Sequence, residues 1–139
     1  MKALLIDTSF LYSLNDLSDR NRDKAVKIAA EYGDHLFVIP QVVLTETAYL
    51  LSTRLGERAL MSFWKSLDSP RVQLEPVTKH DLAQARKIHQ RYADARLDFV
   101  DCCIMALSER MNITRICTFD RRDFSLFKPT HTGYLELLP

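Results

Sequence analysis

Short, almost uninterrupted apolar runs alternate along this chain with longer segments of helical period, and this alternation narrows the possible folds more than any other feature. The runs Lys2–Ile6, Leu36–Ile39, Val72–Val77 and Arg115–Phe119 are short enough to be strands rather than helices. The first reads as a buried strand, and Pro76 weakens the end of the third. Between them, Arg22–Tyr32 carries Ala25, Val26, Ile28 and Ala29 at helical spacing and closes at Gly33. Pro40 suits the first turn of a helix through Arg54 with Gly56 after it, and Glu57–Leu67 follows as another amphipathic helix. Thr78 with Asp81 three residues on resembles a capping box, opening a helix to about Ala93. Asp98 opens the last long helix, which ends near Met111-Asn112, and Tyr134–Leu137 is expected as a fifth strand at an edge. Strands alternating with helices predict an α/β fold, a mostly parallel sheet with helices on both faces, in one domain spanning 1–139. Ligands of such sheets collect at the carboxyl ends of the strands.

The chain has no low-complexity stretch or linker, and its longest apolar run, Cys102–Leu107, cannot cross a bilayer. The apolar start before Asp7 is too short for a secretory signal, so a cytoplasmic location is expected. Three cysteines, two of them adjacent, make no disulfide framework and read as reduced thiols.

Two acids fall at expected strand ends, Asp7 after the first strand and Asp120 after the fourth. Asp7 follows four apolar residues, a costly place for a charge unless it is paired or bound, although it is also a fair helix N-cap. Glu46 lies on the flank of the buried stripe of its helix and reads as a partly buried glutamate with no local partner, since Arg54 stands eight positions on. Asp101 occupies the first turn of the helix opened by Asp98, where the helix dipole alone would favour an anion. Asp120 and Asp123 stand among Arg121 and Arg122, so surface pairing is an equally good reading of them.

Taken together, oxygen ligands from separate elements suit a hard divalent cation, Mg²⁺ or Mn²⁺. The four histidines and the cysteines lack the spacing of a zinc site. Ser9 and Thr118, each beside one of the acids, read as hydrogen-bonding orienters, and Arg96, Arg121 and Arg122 as candidate phosphate contacts. The formal net charge is +1, and with the four acids Asp7, Glu46, Asp101 and Asp120 neutralised by a cation it becomes +5, compatible with a polyphosphate substrate.

The motifs Leu5-Ile6-Asp7-Thr8-Ser9, Thr45-Glu46, Asp101 to Ala106 and Thr118 to Phe124 resemble, in this order, those of the PIN-domain nucleases, and most closely the VapC toxins of VapBC toxin–antitoxin modules. The resemblance covers essentially the whole chain. It implies a three-layer α/β/α sandwich and a Mg²⁺/Mn²⁺-dependent endoribonuclease acting on structured RNA. It also implies a homodimer and an inhibitory VapB-type antitoxin. Carried over by position, Asp7 and Asp101 would be direct metal ligands, Glu46 would act through water, and Asp120 would complete the site. Asp98 and Asp123 would be supporting acids. Three other readings compete: a housekeeping RNA-processing nuclease of the same fold, a phosphohydrolase using Asp7 as nucleophile, and a non-catalytic RNA- or partner-binding module. The second normally sets another aspartate two residues after the first, where this chain has Ser9. The stripe Leu60, Phe63, Trp64, Leu67 is read as core rather than interface.

Overall fold

The computed structural model describes residues 2–139. The elements run β1 (Ala3–Ile6), α1 (Thr8–Asn15), α2 (Arg22–Glu31), β2 (Leu36–Pro40), α3 (Gln41–Leu55), α4 (Glu57–Ser66) and β3 (Val72–Glu75). They continue with α5 (Lys79–Arg91), α6 (Phe99–Met111), β4 (Arg115–Cys117), α7 (Arg122–Leu126) and β5 (Glu136–Leu138). The strands form one sheet in the order β3-β2-β1-β4-β5, and every neighbouring pair is parallel, the expected edge strand included. The sheet is therefore wholly parallel.

β1 lies at the centre because it is the strand that can be buried from both sides, and all four of its residues are. From β1 the chain moves to one side through β2 and β3, then crosses to β4 and β5 on the other. Right-handed crossovers consequently place α1–α4 on one face and α5–α7 on the opposite face. Packing of α5 on α6 and of α1 on α3 follows this division. The direction of winding reverses between β1 and β4, which opens a crevice at their carboxyl ends.

Two side chains, the half-buried Arg71 and the buried Asp81, tie the layers. Arg71 donates to the carbonyls of Ala29, Tyr32 and His35 while its guanidinium lies 4.2 Å from the Phe37 ring centroid, fastening the end of α2 to the β2–β3 edge. Asp81 completes the capping box of α5 and accepts a forked pair of bonds from Arg110 of α6 at 2.8 and 3.1 Å.

Several expectations need correction. β4 stops at Cys117 rather than Phe119, because the Thr118 hydroxyl accepts from Asp120 N at 3.0 Å and turns the chain out of the sheet. β3 ends at Glu75, before Pro76. The 3₁₀ turn Ala93–Ala95 and α7 were not expected from periodicity; each is too short to show one. Of the α4 stripe, Phe63 is buried and Leu60 and Leu67 pack at the core's margin, but Trp64 is 62% exposed. α4 packs against α3 and the edge of α1, so only a narrow stripe of it is covered. All three cysteines are free and buried.

Candidate active site

At the β1/β4 crevice the sheet register fixes the site. Ile6 pairs with Cys117, and Asp7 N donates to Cys117 O at 3.0 Å, which brings Asp7 and Thr118 side by side. Asp7 ends β1 and caps α1, one carboxylate oxygen accepting from Thr8 N at 2.8 Å. Its other oxygen accepts from Thr118 Oγ1 at 2.7 Å and, more loosely, from Ser9 Oγ at 3.4 Å. Ser9 Oγ in turn accepts from Phe119 N at 2.9 Å. Asp7 is thus both the helix cap and an oriented acid, its geometry dictated by two hydroxyls from two elements.

Asp101 enters from the opposite layer. Asp98 is the N-cap of α6 and accepts from Val100 N and Asp101 N, so that the buried Asp101 projects from the first turn. Asp123, in the first turn of α7, is only 5% exposed. It accepts from Asp98 N at 2.9 Å and from Arg122 Nη1 at 2.8 Å, and its carboxylate faces Asp101. The reading of Asp123 as a surface pairing partner was incomplete: it is a buried acid that holds the α6 entry against α7. Glu46 and Asp120, by contrast, are exposed and stand on the rim. The partial burial expected of Glu46 is not found, since α3 presents that turn to the open cleft.

All six carboxylates line one cleft of about 610 Å³. Burial, set against the bonds from Thr118 and Thr8 and reinforced by Asp120 and Glu46, raises Asp7 to a pKa of about 6. Burial first, then the charge of Asp7 and the carboxylate of Asp123, pushes Asp101 to about 9. Both carboxyls are thus held above the ordinary carboxylate range, Asp101 the more strongly. Among the described residues no three acidic, histidine or cysteine side chains are drawn together as a finished metal cage. The Asp7 carboxylate is turned to two hydroxyls and an amide, and those of Asp98 and Asp123 to backbone amides. The donor set is nevertheless all oxygen and underneutralised, which fits a hard divalent cation and little else.

The same cleft is walled by arginines. Arg96, Arg20 and Arg54 line it, and among the described residues none of the three forms an ion pair within 4.0 Å. Two expected phosphate contacts are otherwise engaged. Arg122 is tied to Asp123 and Ala95 O, and Arg121 donates to Pro139 O. Sequence reading missed Arg20, Arg54, Tyr12 and Asp16. The signal for Arg54 was present: eight residues from Glu46 is two steps of four along one helix face.

Against known proteins, a family model described as PIN domain matches residues 4–128. Ribonuclease VapC26 of Mycobacterium tuberculosis is 29% identical over 136 residues, covering 98% of this chain and 100% of that protein. The crystal structure of Mycobacterium tuberculosis VapC20, a Sarcin-Ricin loop cleaving toxin, superposes with a TM-score of 0.83 at 28% identity, covering 99% of this chain and 100% of that one. A toxin–antitoxin complex from Klebsiella pneumoniae matches with a TM-score of 0.70 over 96% of this chain and 99% of that one. At 18% identity it speaks for the fold alone.

Proposed function

The chain belongs to the PIN-domain family, and from that footing we propose that it is a Mg²⁺- or Mn²⁺-dependent endoribonuclease, the toxin of a VapBC-type module, acting as one catalytic domain over 1–139. The observation that carries this reading is the pair of buried acids from opposite layers, Asp7 and Asp101, meeting at the β1/β4 crevice beneath a wall of unpaired arginines. Asp7 and Asp101 would hold the cation directly, with Glu46 and Asp120 reaching it from the rim. When bound, the ion supplies Lewis acidity and an acidified water for in-line attack on a phosphodiester.

The remaining work belongs to this chain's own side chains. Thr118 and Ser9 fix the Asp7 carboxylate, so its lone pairs stay aimed at the cleft. Asp98 sets the first turn of α6 and hence where Asp101 projects, and Asp123 braces that turn from α7. Arg96 offers its guanidinium to a phosphate on the α6 side of the cleft. No nucleophilic side chain is required for this chemistry.

The likeness to VapC proteins supports RNA as the substrate class, and a VapB-type antitoxin as inhibitor and a homodimer as the working form are part of the same proposal. An RNA substrate puts that work in the cytoplasm, and no helix among the described residues is long and apolar enough to cross a membrane. The reading is tested by incubating purified protein with total RNA and mapping the ends, with Mn²⁺ and with chelator, while light scattering reports oligomeric state. Discrete new ends only with metal are expected. Intact RNA together with a trapped phospho-aspartate would overturn it.

A further inference from the structure

Arg54 projects from the last turn of α3 into the same cleft as the acids, and its setting is built rather than incidental. Its guanidinium carbon lies 5.1 Å from the centroid of the Tyr12 ring. Tyr12 is buried, and its hydroxyl donates to Asp16 Oδ2 at 2.6 Å. Asp16 is itself immobilised, its other oxygen accepting from Ser18 N at 3.0 Å and Ser18 Oγ at 2.7 Å. Burial together with the bond to Asp16 raises the Tyr12 phenol, while Arg54 works against that rise through its own contact with the hydroxyl. The arginine therefore rests against a rigid aromatic face and feels the Asp16 charge beyond it, yet among the described residues no carboxylate lies within 4.0 Å to form an ion pair with it.

Asp16 also begins the loop to α2, and this loop is held just as firmly. Asp19 Oδ2 accepts from Ser13 Oγ at 2.8 Å and from Asn21 N at 3.0 Å. Between Asp19 and Asn21, Arg20 is exposed and lines the cleft, likewise without an ion pair. Elsewhere arginines that sit against acids have closed on them, as Arg110 does on Asp81 and Arg115 on Glu136. Two guanidinia without ion pairs thus line the α1–α3 wall, one of them pre-oriented, and guanidinia of this kind suit phosphate groups.

We propose that Arg54 and Arg20 form a phosphate-binding subsite for the substrate backbone on the α1–α3 side of the acidic cleft, with Tyr12 and Asp16 acting as positioning residues for Arg54. RNA would then be gripped on both sides of the cleft, by this pair on one wall and Arg96 on the other. The proposal rests on the nucleic-acid reading of the cleft but not on catalysis, because phosphate contacts fix register whether or not the bond is cut.

The test is binding of a labelled single-stranded oligoribonucleotide in EDTA, measured by anisotropy from about 50 to about 200 mM salt. Losing one phosphate contact lowers the slope of log affinity against log salt by about 0.7 on a single strand. Arg54→Gln is expected to bind about tenfold more weakly with that smaller slope. Arg54→Lys should keep the slope but recover only part of the affinity, since the fork is lost. Tyr12→Phe, which retains the charge, should weaken binding a few-fold with the slope unchanged. Arg91→Gln, at the end of α5 and outside the cleft, should behave as the parent protein. Unaltered affinity and slope in folded Arg54→Gln would overturn the subsite, as would an equal loss in Arg91→Gln. Cleavage of the same RNA by the parent protein in Mn²⁺ is scored separately. Binding without cleavage would sink the nuclease reading and leave the subsite standing.

Discussion

Replacing Asp101 with asparagine should stabilise the metal-free protein while destroying its function. Asp101 is 7% exposed and meets the carboxylates of Asp7, Asp98 and Asp123. Burial, the Asp7 charge and the Asp123 contact hold its pKa near 9, against a carboxylate value near 4 in the unfolded chain. At pH 7 the folded protein must therefore keep a proton that the unfolded chain readily gives up. About three pKa units separate pH 7 from the unfolded value, which bounds the penalty at about 4 kcal/mol. Asparagine has nearly the same volume and can still donate to Asp123, so Asp101→Asn is expected to gain about 2 to 4 kcal/mol, or about 6 to 12 °C of melting temperature. For a carboxyl group with a raised folded pKa the penalty is absent below the unfolded value and grows as pH climbs toward 9. The gain should consequently shrink toward zero as the pH is lowered to about 4. Scanning calorimetry in EDTA across this range reads the effect directly. With saturating Mn²⁺ the difference should shrink or close, because only the parent protein gains binding energy, about 2.7 kcal/mol at a hundredfold excess over the dissociation constant. An Asp101→Asn protein that melts at or below the parent temperature in EDTA at neutral pH would refute the argument that this acid is held under strain for a cation.

Three other perturbations separate structural from chemical roles. Asp98→Asn should keep RNA cleavage within a few-fold, since asparagine caps a helix as well as aspartate, whereas Asp98→Ala should lose about 1 kcal/mol of stability in denaturant melts. Arg71→Met leaves three carbonyls at the end of α2 and the β2–β3 edge without their donor, and urea titration should show a loss of about 2 to 3 kcal/mol with cleavage chemistry intact. Burial of Asp81 is outweighed by its bonds to Arg110 and Thr78, which hold its carboxyl below the ordinary range. The stability it contributes is present above the unfolded value near 4 and lost as pH falls through the lower folded value. Asp81→Asn should therefore be less stable at neutral pH and show a shallower acid transition.

The order of strands and long helices could be read from the chain because the central strands β1 and β2 are short and buried, and several helix ends carry residues with a local meaning. Thr78 with Asp81, Asp98, and Gly56 after α3 all stand where the structure puts the helix ends. α7 could not be read in this way: five residues give less than two turns of period, and its start at Arg122 has no side-chain cap. Asp7 and Asp101 were visible as acids in costly positions. The burial of Asp123 was not, because Asp123 follows two arginines in sequence and its deciding contact is the amide of Asp98, twenty-five residues away. Trp64 and Glu46 were misjudged for one reason. A helical period shows which face is apolar but not how wide a stripe the neighbouring elements will cover, and α3 and α4 leave these positions open. The cleft arginines depended on the fold most of all, since only the α1–α2 loop and α3 together show which guanidinia are already paired.

At the centre of the proposed function, Asp7 and Asp101 together hold the cation that cuts RNA. Single-turnover cleavage of one RNA in Mn²⁺ should fall by about a hundredfold or more in both Asp7→Asn and Asp101→Asn, a loss of the size seen when one transition-state contact is removed. EDTA should abolish cleavage by the parent protein, and Mn²⁺ affinity measured by calorimetry should fall in both variants. Cleavage that survives EDTA, or an Asp7→Asn protein that cuts at the parent rate with unchanged Mn²⁺ affinity, would contradict it.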